Sequence, residues 1–279
     1  MDSGIRALST LVIDVDKDWS DHTITNLKES IAAGQPLTYE QMIAILGLAW
    51  TRASGEECCY SLTQDTDYVY AGFNTVPAFV IKISKATMTT SATWEGAVGE
   101  NNCRALTQDA DYVYAGLYIS PTKVVKISKA TMTTSATWEG AVGEDNCQAL
   151  TQDTDYVYAG LNISPAKVVK IAKSDMTTSA TWEGAADEYC RALTQDADYV
   201  YAGLYISPAF VIKISKATMT TSATWEGAVG EKNCQALTQD TDYVYAGLNI
   251  SPAKVVKIAK SDMTTSATWE GAVDEYCRA

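Results

Sequence analysis

The chain has one histidine, His22, among 279 residues, and only three phenylalanines. Histidine is the side chain best suited to proton transfer near neutral pH. With one copy, and no nucleophile–base pair to be named among the many serines and threonines, the chain is not expected to be an enzyme. Basic residues are also scarce. Lys and Arg number 21 against 34 Asp and Glu, for a net charge of −13. No basic patch stands out, which argues against nucleic-acid binding. The acidity suits keeping a large β surface in solution. No run of eighteen apolar residues occurs, so insertion of a helix into a membrane is not expected. The first six residues, Met1 to Arg6, lack the apolar core of a secretory leader, so export by the usual route is not expected either. Seven cysteines include no C-x-x-C and have no histidine beside them, so neither a metal nor a cofactor is expected.

What the chain does have is repetition. Leu62, Leu106, Leu150, Leu193 and Leu237 each open the word L-T-Q-D. Trp94, Trp138, Trp182, Trp225 and Trp269 each open W-E-G, at spacings of 44, 44, 43 and 44. A period of this size belongs to solenoids and propellers. Within a unit, Tyr, Val, Ile, Thr and Trp fill runs of four to seven residues that suit a pleated, half-buried surface. Turn chemistry separates the runs: Asp-Ala-Asp at 109–111, Ser120-Pro121, Ser128 to Thr131, and Gly143 to Asn146. No segment of the unit sustains a helical period. Four short strands in about 44 residues make one propeller blade. Such a blade buries neither face alone and must be covered by its neighbours. The expected fold is therefore all-β, a five-bladed β-propeller over 58–279, with blades at about 59–102, 103–146, 147–189, 190–233 and 234–276. A larger ring shared by two chains is the alternative. Residues 105–191 and 192–278 are almost identical, a two-blade duplication. Such uniformity suits several equal weak sites used together.

The order of these words, with Y-V-Y-A-G-L followed by V-V-K-I, resembles the YVTN and NHL-like β-propellers. The resemblance implies an inner strand at 103–108 and an outer strand at 135–140, with equivalents in every blade. It places the S-P loops (118–122) and G-E-D-N loops (143–146) on one face of the ring. The D-x-D and K-A-T-M turns then lie on the other, and Trp138 and its copies wedge between neighbouring blades.

Residues 1–57 lack the repeat and are expected to form a small mixed α/β anchor. Thr10 to Val15 reads as a strand. Thr38 and Gln41 have the spacing of a capping box for a helix over 39–52. That helix is apolar on most faces and must be buried. Asp18-Trp19, Ile24-Thr25-Asn26-Leu27 and Gln35-Pro36 resemble connector segments of tailed-virus fibre proteins. The resemblance implies a virion location, contact with other virion proteins through residues 1–57, and a homo-oligomer. A cytoplasmic or extracellular protein is the alternative.

Six cysteines share one unit position and are expected to be small buried hydrophobes. Cys277 begins a sixth copy, and a ring-locking disulfide to Cys58 is expected if the ring closes. Paired aspartates such as Asp109 and Asp111 offer calcium too few oxygens and are expected to be ordinary turns. The better binding candidates precede the S-P turns: Tyr118, Asn162, Tyr205 and Asn249, with Asn146, Asn233, Glu144 and Glu231 on the same face. Aromatic rings and amides suit a host-surface glycan. The expected function is thus a virion fibre, spike or decoration protein that attaches to a host surface. The alternative is a cellular lectin-like or protein-interaction propeller.

Overall fold

The computed structural model describes residues 58–273, 275 and 277. The anchor, its helix, His22 and the connector-like segment lie outside the described residues. Every strand among the described residues belongs to the unit Gly47–Ala279.

Among the described residues, twenty strands form five separate antiparallel sheets, each a four-strand meander in chain order. The first sheet is β1 (Cys59–Gln64), β2 (Tyr68–Phe73), β3 (Phe79–Ser84) and β4 (Thr90–Glu95). The second is β5 (Cys103–Gln108), β6 (Tyr112–Leu117), β7 (Lys123–Ser128) and β8 (Thr134–Glu139). The third is β9 (Cys147–Gln152), β10 (Tyr156–Leu161), β11 (Lys167–Ala172) and β12 (Thr177–Glu183). The fourth is β13 (Cys190–Gln195), β14 (Tyr199–Leu204), β15 (Phe210–Ser215) and β16 (Thr221–Glu226). The fifth is β17 (Cys234–Gln239), β18 (Tyr243–Leu248), β19 (Lys254–Ala259) and β20 (Thr265–Glu270). Consecutive inner strands, β1 with β5, β5 with β9, β9 with β13 and β13 with β17, pack side by side.

The core lies between sheets. Tyr70, Val80 and Trp94 of the first blade pack against Cys103, Val113, Val125 and Met132 of the second, and the pattern recurs at the later junctions. Two devices set the spacing. A glycine of each middle strand faces the cysteine of the next blade. A Cβ at Gly116 would stand 2.5 Å from Cys147 Sγ, and one at Gly72 would stand 2.7 Å from Cys103 Sγ. The tryptophans of the first four blades then donate the indole N–H to a threonine of the next blade's outer strand: Trp94 to Thr134, Trp138 to Thr178, Trp182 to Thr221 and Trp225 to Thr265, all at 2.8–2.9 Å.

The five blades do not close into the expected ring among the described residues. Trp94, Trp138, Trp182 and Trp225 are 2–5% exposed, whereas Trp269 is 57% exposed on a fully exposed β20. At the other end Leu62 is 65% exposed, against 9% for its copy Leu106. Closure depends on the rotation from one blade to the next. The number of copies does not determine that rotation. The proposed bridge is absent too: Cys58 and Cys277 are both free. Cys277 instead lies over Gly247, as Cys103, Cys147, Cys190 and Cys234 lie over their glycines, with Sγ 2.5 Å from a Cβ built there.

Candidate binding surfaces

Each meander brings two kinds of loop to opposite ends of a blade. On one end the D-x-D turns meet the K-A-T-M turns of their own blade, as Lys129 N–H donating to Asp111 O shows. Asp109 Oδ1 accepts the N–H groups of Asp111 and Tyr112. Its Oδ2 accepts Tyr114 OH at 2.8 Å and faces Lys173 Nζ of the next blade at 3.1 Å. Burial works to raise this carboxyl, but the Tyr114 hydroxyl, the Tyr112 N–H and Lys173 outweigh it and hold it below the usual range. At Asp65, burial is likewise outweighed by Lys129, Tyr68 N–H and Tyr70 OH, leaving a pKa of about 2. Lys126 adds a cation–π contact over Tyr112 at 4.1 Å, and its Nζ donates to Lys173 O of the next blade at 2.8 Å. A groove of about 1000 Å³ runs over this network, lined by Asp109, Lys126, Asp153, Tyr156, Lys173 and Asp196 among others. Its charged groups are largely paired with each other. The arrangement is an inter-blade clamp. No cluster of three or more metal-ligating side chains exists among the described residues.

The other end carries the S-P loops, each with a cis X–Pro bond, and the loops that lead to the next blade. Thr122 N–H donates to Glu144 O and Asn162 N–H to Asn146 O, which ties the two loop types together. The candidates assemble in part. Asn162 Nδ2 donates to Tyr118 OH at 2.9 Å across a blade junction. Asn249 N–H donates to Asn233 O. Tyr205 N–H donates to Tyr189 O, and its ring lies beside Arg191. Asn146 and Asn233 have φ of 60° and 59°, the left-handed conformation that Asn tolerates better than most residues. This backbone role accounts for their presence without a ligand. Glu144 and Glu231 are engaged with Lys167 and Lys254 across the same junctions.

Arg104 and Arg191 are the residues that loop reading alone missed. The register of every inner strand slips just after its cysteine, between Cys103 and Ala105 in the second blade and between Cys190 and Ala192 in the fourth. That β-bulge re-aims one side chain per blade. It is Tyr60, Arg104, Gln148, Arg191 and Gln235 in turn. The Arg104 guanidinium sits 4.0 Å from the Tyr60 ring centroid and 4.9 Å from that of Tyr118. Arg191 sits 4.9 Å from Tyr205. Arg104 Nε, Gln148 Oε1, Asn162 Oδ1 and Arg191 Nε are buried without a hydrogen-bond partner in the protein. A signal for them exists in the sequence: Arg, Gln, Arg, Gln at the bulge alternates in step with Tyr, Asn, Tyr, Asn at 118, 162, 205 and 249.

No protein-family model matches the chain. No curated protein matches it either. Solved structures do. Hydrazine synthase from Kuenenia stuttgartiensis is 12% identical with a TM-score of 0.67, over 82% of this chain and 70% of that one. The computationally designed Ika8 protein is 15% identical with a TM-score of 0.64, over 78% of this chain and 64% of its own. The Myceliophteria thermophila Cps50 (Swd1) β-propeller domain is 11% identical with a TM-score of 0.60, over 78% and 73%.

The likeness is one of fold. The chain is built of propeller-like blades and spans about two thirds to three quarters of each of these structures. At 11–15% identity the neighbours' activities do not transfer.

Proposed function

We propose that this chain is a non-catalytic attachment protein of a virion. Residues 1–57 serve as its tether to other virion proteins, and its blades present the S-P loop end to a host-surface glycan. The observation that supports the attachment role is the cluster of Arg104, Tyr118 and Asn162, in which Tyr118 meets both of the others. There, an aromatic ring and an amide stand beside Arg104 Nε and Asn162 Oδ1, which no described residue partners. Sugars use these group types: C–H faces stack on rings, and hydroxyls bond to amides and guanidinium. The two-blade duplication repeats the arginine–tyrosine contact at Arg191 and Tyr205, so two weak sites can act as one stronger one. A glycan array probed with the whole chain tests this. A restricted set of bound glycans is expected, lost in the Tyr118→Ala, Tyr205→Ala double variant. Uniform background across the array overturns it. Capsid, portal or tail genes beside the gene for this chain are the expected setting.

A second reading, a cellular protein-interaction propeller, draws on a different observation. Val98, Val142 and Val229, at the tips of the G-A-V-G loops, are fully exposed at the same end as this cluster. Isolated exposed valines at repeated tips fit contact with a protein partner.

A further inference from the structure

Arg104 and Arg191 are the two arginines among the described residues, in a chain whose net charge is −13. Acidic groups outnumber basic ones, so an arginine inside the fold would ordinarily find a carboxylate. Neither does. Among the described residues the ion pairs are all made by lysines. Neither guanidinium makes a hydrogen bond to a described residue, and both Nε atoms are buried and unpartnered. Each is nevertheless held in place: the β-bulge directs it to the S-P loop end, and ring contacts orient it. For Arg104 two rings, Tyr60 and Tyr118, contact the guanidinium. With Nε covered, the two terminal Nη groups are left to meet a ligand, and they form a planar fork that matches an oxyanion at two points.

We propose that Arg104 and Arg191 are the carboxylate receptors of two related sites, and that the ligand is an acidic sugar. This rests on the sugar-binding reading of the same cluster and names its ligand class. The carboxylate lies against the fork, and the sugar ring is received by Tyr118 and Asn162 in one site and by Tyr205 and Asn249 in the other. Gln148 and Gln235, at the same bulge in the alternate blades, supply neutral amides there. The sites therefore recur every second blade, in step with the duplication.

Titration calorimetry of the whole chain with glucuronate and with glucose tests it, because the two differ only at C6. Glucuronate is expected to bind at least about tenfold more tightly than glucose. Arg104→Gln, Arg191→Gln is expected to remove that preference while circular dichroism stays unchanged. Arg104→Lys, Arg191→Lys keeps the charge and loses the fork, and is expected to weaken glucuronate binding as well. Equal affinity for the two sugars overturns the inference, as does undiminished glucuronate binding in either double variant. If neutral glycans bind and acidic ones gain nothing from the arginines, this inference fails and the attachment reading stands. If no glycan binds, that reading fails with it.

Discussion

Trp138 and Trp269 occupy the same position of the repeat, and truncating each measures what a following blade contributes. Trp138 is almost wholly buried, packed with Tyr114 and Val124 of its own blade and with Cys147, Val157 and Val169 of the next. Its indole N–H donates to Thr178 Oγ1 at 2.8 Å. Trp138→Ala removes that area and the hydrogen bond and leaves a cavity, so a loss of about 3–5 kcal/mol is expected. Trp269 keeps 57% of its surface in water, and no described residue accepts its N–H. Less than half of a buried ring's area, at about 25 cal/mol per Å² and about 250 Å² in all, leaves an expected loss of at most about 2.7 kcal/mol for Trp269→Ala. Urea unfolding followed by far-ultraviolet circular dichroism reads both losses at low chain concentration, and it does not depend on the fluorescence of the deleted ring. Equal losses refute the reasoning, because they mean that the outer side of the fifth blade is covered in solution and the stack is closed. A Thr178→Val variant combined with Trp138→Phe isolates the hydrogen bond, with an expected coupling of about 0.5–1.5 kcal/mol.

Acid should loosen the blades together. The Asp65 carboxyl is held at about 2, below an unfolded value near 4, and Asp109, Asp153 and Asp196 are shifted in the same direction. The depressed groups add stability that is complete above pH ~4 and is lost as pH falls toward 2. The thermal midpoint should hold steady from neutrality to that point and drop below it; a midpoint that holds down to pH 2 contradicts the clamp. Gly116→Ala should cost about 1–3 kcal/mol, since its Cβ meets Cys147 Sγ, and Cys147→Ala in the same chain should recover part of the loss. Thiol labelling of the native chain at pH 8 should reach Cys58 and Cys59, while Cys103 and Cys190, pushed up to about 12 by burial, stay unlabelled until the chain unfolds. Mass mapping of the labelled peptides checks it, and early modification of Cys103 or Cys190 counts against the packing described.

The period, the four strands of each unit and their turns were legible in the residues, because alternation and turn chemistry act over a few positions. The predicted inner strand at 103–108 is β5, and the outer strand expected at 135–140 lies one residue earlier, at Thr134–Glu139. The repeat also reaches further upstream than its strands suggest: Trp50, Gly55 and Glu56 stand 44 residues before Trp94, Gly99 and Glu100. The degenerate residues between them hide that copy. Asn146 and Asn233 read as ligand groups because a polar loop residue looks the same whether it serves a ligand or a left-handed turn.

The amino-acid order alone determined the blade, since a sheet's hydrogen bonds and alternating faces are local matters. It also determined that blades must stack, since each leaves apolar area that only another copy can cover. Tertiary structure decided the rest: whether five steps of rotation meet end to end, and which side chain each bulge turns toward the S-P loop end. Both depend on contacts between residues some 30 or more positions apart, such as Gly116 with Cys147 or Arg104 with Tyr60. No short stretch of the chain carries that information.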